Sequence, residues 1–474
     1  MHALLLLLHP LMLLACHHRR LRPPPPPLIR GLAPVKKKLQ RGGTVGAMLG
    51  SLHHHHHHHH SSSSSDTDNN NDNKNGSNSS GGVLAAAAPS ARDLVLACAD
   101  LLQRGDLPAA RRAAGVLLSA ASPRADAADR LAYHFARALA LRADARAAAA
   151  AGRVAPGLVS AAARPASSGA YLAFNQIAPF LRFAHLTANQ AILDAVEGAR
   201  RIHILDLDAA HGVQWPPLLQ AIAERADPAA GPPEVRITGA GADRDTLLRT
   251  GSRLRAFARS IQLPFHFTPL LLSCAATHHH EVAGGSATTA SSAATSLELH
   301  PDETLAVNCV MFLHKLGGQD EVAAFLKWVK AMAPAVVTVA EREMIGGGYD
   351  RIDDLPQRAA VAMDHYSAVF EALEATVPPG SRERLAVEQE VLGREIEASL
   401  GPAGGRWWRG LERWGAAARA AGFAARPLSA FAVSQARLLL RLHYPSEGYL
   451  VQEARGACFL GWQTRPLLSV SSWQ

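Results

Sequence analysis

Cysteine is scarce in this chain. The five cysteines, Cys16, Cys98, Cys274, Cys309 and Cys458, form no close pair, and most lie in or beside apolar runs. That spacing excludes a disulfide framework and a structural zinc site and fits a reducing compartment, cytosolic or nuclear. Acidic residues are missing from residues 1–41, which carry eight basic groups: Arg19, Arg20, Arg22, Arg30, Lys36, Lys37, Lys38 and Arg41. The other 40 basic groups are balanced by 40 acidic ones, so the overall charge of +8 belongs to the leader. Net charge therefore gives no support for nucleic-acid binding by the rest of the chain. No apolar run is long enough to span a membrane. Leu4–Leu8 and Leu11–Ala15 are separated by His9 and Pro10, and positive charges follow them rather than precede them as in a signal peptide. Also missing are a Gly-x-Ser-x-Gly elbow, a zinc finger, a helix-turn-helix signature and a basic region with heptads.

What is present divides in two. Residues 1–83 hold a stiff Pro23–Pro27 segment, eight histidines at 53–60 and a Ser/Asn-rich stretch, the pattern of a disordered low-complexity leader. The histidines fix no metal geometry, and Lys36–Lys38 is a short match to an import signal. Hydrophobic residues make up 48% of 474, enough for a substantial core over 84–474. Ser90 and Asp93 form a capping pair for a helix through Arg104. Two more helices follow, the second of them over about 126–142, and residues 170–198 add one or two. From Arg201 the pattern alternates. Strands are predicted at Ile202–Leu207, Val235–Gly239, Leu305–Val310 and Ala335–Ala340, and helices around 217–225, 245–260 and 320–332. Helices at 355–375 and 381–399 are expected to join the N-terminal ones. Ala436–Tyr444 and Ala457–Trp473 read as two or three strands around a Pro445-Ser446-Glu447-Gly448 turn, an antiparallel pair closing the parallel sheet. The expected fold class is α/β: a methyltransferase-like (Rossmann-like), mostly parallel sheet with flanking helices plus an α-helical cap subdomain. The cap covers about 90–199 and 355–399, and the core about 200–354 and 400–474.

The segment Arg201–Pro216 begins like the nucleotide-binding turn of such a scaffold. A dinucleotide turn needs glycines beside the strand so that backbone amides can approach a pyrophosphate. Here Asp208, Ala209, Ala210 and His211 occupy those places, and Asp206 and Asp208 would repel a phosphate. Two readings of the acids stand. Asp206, Asp208 and His211 could share a proton or a divalent ion. Alternatively, Asp206 caps turn amides while His211 packs against or caps the next helix. Glu341-Arg342-Glu343, at a strand end, reads as a salt-bridge network, and His203, Cys309 and His314 as core residues. No catalytic, cofactor or metal site is expected. Arg249, Arg253, Arg255 and Arg259 on the 245–260 helix are candidate DNA phosphate contacts, with Arg255 and Arg259 on one face.

Taken together, these motifs resemble the GRAS family of plant transcriptional regulators. The hallmark motif stands as Ile202-His203-Ile204-Leu205-Asp206, flanked by leucine-rich regions, the second at Leu247–Leu263. Pro264-Phe265 and Ala340-Glu341-Arg342-Glu343 resemble the PFYRE region. Arg406–Gly410, Trp462 and Ser471-Ser472-Trp473 resemble the terminal SAW region. Within the family the chain is similar to the regulators of axillary meristems. The resemblance implies a nuclear regulator of meristem initiation and shoot branching, with no cofactor and no membrane association. It also implies partners among other transcription regulators, in a homo- or heterodimer. Direct reading of duplex DNA is the alternative, and a residual adenosylmethionine-dependent methyltransferase or small-molecule-binding protein a further one.

Overall fold

The computed structural model describes residues 89–152, 167–209, 211–272, 297–316, 318–344, 354–401 and 410–474. The leader over 1–83 lies outside them, as do the motif residues Trp407 and Trp408. The helices α1 (Ala91–Arg104), α2 (Leu107–Ala120) and α3 (Ala127–Ala150) open the fold. Ser90 and Asp93 close a reciprocal capping box at the start of α1. Side chains of Asp106 and Asp126 cap α2 and α3, each satisfying an amide that the helix leaves unpaired. The third helix runs eight residues beyond the expected Arg142 because an alanine-rich tail propagates it. Next come α4 (Ser168–Ile177) and α5 (Phe180–Ala195).

The sheet contains β1 (Arg201–Asp206), β2 (Glu234–Gly241), β3 (Phe265–Leu271), β4 (Thr304–Val310), β5 (Val336–Arg342), β6 (Ala425–Arg426), β7 (Tyr449–Ala454), β8 (Ala457–Trp462) and β9 (Arg465–Trp473). The helices between them are α6 (Trp215–Glu224), α7 (Arg244–Ser260), α8 (Gln319–Ala331), α9 (Leu355–Thr376), α10 (Arg382–Val387), α11 (Gly393–Leu400), α12 (Leu411–Ala420) and α13 (Ala430–His443). A π-helical turn at Glu388–Leu392 joins α10 to α11. The strand order is β3-β2-β1-β4-β5-β9-β8-β7, with β6 paired to β9.

The expected fold class is corrected here. The sheet is mixed, not mostly parallel. Pairings among β3, β2, β1, β4 and β5 are parallel, whereas β5–β9, β9–β8, β8–β7 and β6–β9 are antiparallel. At the β7–β8 edge the physical cause is turn length. Arg455-Gly456, both at positive φ, link β7 to β8 in a two-residue turn, and such a turn joins only antiparallel neighbours. The predicted strand at Ala436–Tyr444 is helix α13. Ser429 caps it, and Val433, Ala436, Leu439 and Leu440 are buried at helical spacing. β3 escaped the sequence pattern because it is an edge strand that buries only Phe267 and Leu270.

Three apolar clusters hold the molecule together. One joins α1, α2, α3 and α9 to the sheet through Ala340, Cys458, Leu460 and Leu468, so these helices share a core with the strands. The others lie against β4 and β5, with α8 and α12, and against β1 and β2, with α6 and α7. No helix among the described residues is long and apolar enough to cross a membrane.

Candidate functional site

The hallmark motif forms the central strand β1. Ile202, Ile204 and Leu205 are buried at 2% exposure or less and fix the strand between β2 and β4. His203 is also fully buried. Its Nε2 lies 2.9 Å from the Thr238 hydroxyl, and its Nδ1 lies 3.1 Å from an Arg236 nitrogen. Because the guanidinium only donates, Nδ1 accepts and the proton sits on Nε2. Burial, with Arg236 alongside, pushes His203 down to about 4 and keeps it neutral. Arg236 also pairs with Glu303, so β1, β2 and the entry to β4 are tied by one polar chain.

Asp206 ends the strand facing inward. It accepts from the Trp215 indole at 2.8 Å and from the Asn308 amide at 3.1 Å. Burial pushes its carboxyl up to about 7, against the pull of those donors. Asn308 in turn exchanges hydrogen bonds with Gln214, each 3.1 Å, and accepts from Thr338 at 2.9 Å. Gln214 donates to Asn189 on α5 at 3.0 Å. A buried amide network thus runs from α5 through the start of α6 to β1, β4 and β5.

Asp208 turns away from Asp206 and pairs with Lys315 at 2.5 Å. His211 packs against the Tyr171 ring, centroids 5.2 Å apart, and its carbonyl accepts from Arg253. The three side chains considered as a carboxylate–histidine cluster therefore go to different partners. Among the described residues no group of three His, Cys, Asp or Glu has metal-holding geometry. The turn is also filled. Gly212 sits at φ +65°, and a Cβ there would lie 2.6 Å from Thr250. At Gly239 a Cβ would lie 2.6 Å from the Phe267 ring and 2.9 Å from Ala209. Side chains occupy the space where a phosphate-binding turn would keep backbone amides open.

At the end of β5, Glu341 accepts from the Leu313 amide and meets His314 at 3.1 Å. Arg342 pairs with Glu395, and Glu343 accepts from the Leu411 amide and the Ser469 hydroxyl. This acid–base–acid run anchors the β5 end to α11, α12 and β9.

The four arginines lie on the exposed side of α7. Arg249 donates to Thr246 at 2.9 Å, Arg253 to the His211 carbonyl at 2.9 Å, and Arg255 to the Phe267 carbonyl at 3.4 Å. Arg259 is exposed one turn beyond Arg255. The terminal motif is interior. Trp473 is edge-on to Trp414 at 5.5 Å, Ser472 donates to the Arg426 carbonyl, and Trp462 meets Tyr449 at 4.9 Å.

Sequence reasoning missed Asn189, Gln214, Trp215 and Thr338 as members of the network. One signal was present: Asn308 is a polar residue inside Leu-Ala-Val-Asn-Cys-Val, a run that otherwise reads as buried strand.

A model of the GRAS domain family matches residues 91–474. The chain belongs to the GRAS family. It is 79% identical over 394 residues to Protein MONOCULM 1 of Oryza sativa subsp. japonica, covering 81% of this chain and 88% of that protein. It is 46% identical to Scarecrow-like protein 18 of Arabidopsis thaliana over 305 residues, 62% of this chain and 65% of that protein. The crystal structure of SCL7 from Oryza sativa superposes with a TM-score of 0.62 at 32% identity, covering 81% of this chain and all of that one. This is the finding that overturns the methyltransferase-like class: the fold is that of the GRAS domain. This GRAS protein is a transcriptional regulator of the monoculm and lateral-suppressor type, controlling axillary meristem initiation and shoot branching. Members of the family are regulators rather than enzymes, and they act with other regulators and as homo- or heterodimers.

Proposed function

We propose that this chain works in the nucleus as a coregulator, brought to its genes by other transcription regulators in a homo- or heterodimer. Residues 1–83 act in this reading as a leader outside the GRAS-type domain over 84–474. The observation that carries it is the engagement of the α7 arginines. Arg253 and Arg255 already donate to backbone carbonyls, and Arg249 to Thr246. A guanidinium held this way keeps N–H donors to spare, but the protein sets its direction, so a phosphate must come to where it already points. Charge balance past residue 41 points the same way.

Direct duplex binding is the second reading, favoured by the exposure of all four arginines on one helix. Selection from random duplexes over a salt series separates the two, using the full chain beside residues 84–474 to discount the basic leader. Absence of enrichment with a folded domain is expected; enrichment of one sequence would overturn the coregulator reading. If Arg255 and Arg259 touch phosphate, replacing both by alanine lowers the salt slope by about 2.

A further inference from the structure

Between α4, α5, α13 and the entry to α6 lies a pocket of about 40 Å³. Its surface is mostly apolar, with Leu193, Val213 and Leu439 in the lining, but five side-chain amides also line it: Asn175, Asn189, Gln190, Gln214 and Gln435, each 2–5% exposed. Arg182 and His185 are the other polar residues in the lining, and no carboxylate lines it among the described residues. Burial pushes His185 down to about 4, so its ring is neutral.

Asn189 and Gln214 are satisfied through the network that holds Asp206. The other three carry unpartnered atoms, although the Nε2 of Gln190 donates to Asp194 at 2.6 Å. Neither the Oε1 nor the Nε2 of Gln435 has a partner among the described residues, although the side chain is only 2% exposed. The Oδ1 of Asn175 and the Oε1 of Gln190 are equally unpartnered, as is the Nε of Arg182. Buried polar atoms are nearly always hydrogen-bonded, and several orphans around one cavity point to a group that enters it. Position 435 makes the case most clearly. It lies on the buried face of α13 with Val433, Ala436 and Leu439, where an aliphatic side chain would close the cavity without a polar debt.

We propose that this pocket binds a small neutral molecule by an amide or ureide head group. The acceptors on Asn175 and Gln190 take its N–H groups, and the Gln435 amide or Arg182 Nε donates to its carbonyl. The size fits a head group rather than a whole sugar or nucleobase: a water needs ~10–15 Å³ by this measure, so the pocket holds about three such groups. The site is distinct from the filled turn after β1. It shares Gln214 with the network behind Asp206, so an occupant would touch a residue that anchors the hallmark strand.

Acetamide is the probe, with acetate and acetone as near-isosteres, titrated against the full chain by ligand-observed NMR. A saturable acetamide signal in the millimolar range is expected, the affinity open to a four-atom ligand. Gln435→Leu should weaken it at least tenfold while the circular dichroism stays native. No saturation up to about 100 mM would overturn the proposal. So would binding unchanged in Gln435→Leu, or acetate or acetone binding as well as acetamide; better binding of acetate would mark an anion site at Arg182. Should the variant not fold, wild-type crystals soaked in acetamide decide. Density for the amide on Gln435 supports the proposal, while ordered water alone, or an adventitious additive only, refutes it.

Discussion

Replacing Asn308 by alanine tests the network that fixes the hallmark strand. Asn308 is fully buried and takes part in four hydrogen bonds: to Asp206, to and from Gln214, and from Thr338. Alanine removes them all and leaves Asp206 with the Trp215 indole as its remaining side-chain donor. Losing a donor to a charged group costs about 1.5–3 kcal/mol and orphaning a buried amide about 1–3 kcal/mol, with partial relaxation. The cost depends on pH. The Asp206 carboxyl sits at about 7 in the folded chain against an ordinary value of 3.8, so between those values the folded state holds a proton that the unfolded state releases. Stability from this group is therefore lost as pH rises from about 4 through about 7, by at most ~4 kcal/mol. Removing the Asn308 donor raises that carboxyl further. At pH 6 Asp206 is largely protonated and no buried charge is left short of a donor, giving a destabilisation of about 2 kcal/mol; at pH 8 the buried charge has lost a partner, giving about 4 kcal/mol. Denaturant unfolding of wild type and variant at both pH values, with unchanged slope, measures the difference. A loss below about 1 kcal/mol, or equal losses at the two pH values, would refute the account.

Further outcomes follow from other residues. Burial pushes His134, His185 and His203 down to about 4 and His365 to about 3, so the stability they lend is full above about 6.5 and lost as pH falls toward 4. Protonation of Asp206 opposes this by only about 2 kcal/mol between pH 7 and pH 5, so the melting temperature should still fall, and no fall would contradict the neutral assignment. Gly239→Ala drives a methyl into Phe267 and Ala209 and should destabilise by ~1–3 kcal/mol, read by thermal unfolding. An unchanged melting temperature would mean that the turn is looser than described. Trp473→Ala empties the contact with Trp414 and should cost ~3–5 kcal/mol, whereas a surface role for the terminal motif would leave stability near wild type.

The sequence alone determined the local features. Ser90 with Asp93 announced the start of α1, because a capping box is a contact between residues three apart. The apolar runs announced β1, β2, β4 and β5, since a strand covered on both faces is mostly apolar, with a few polar residues such as Asn308 inside the run. The hallmark and terminal motifs were readable as strings, and with them the family. Tertiary structure decided what depends on residues distant in the chain. Within Ala436–Tyr444 the apolar run is too short to separate strand from helix; the helical face that includes Val433 shows once α13 packs against α5. The antiparallel seat of β9 beside β5, far earlier in the chain, and the edge pairing of β3 to β2 are long-range contacts. The role of Asp206 was the least legible. Its partners Trp215 and Asn308 stand 9 and 102 residues away, and only folding the chain around β1 brings that carboxylate, that indole and that amide within hydrogen-bond reach.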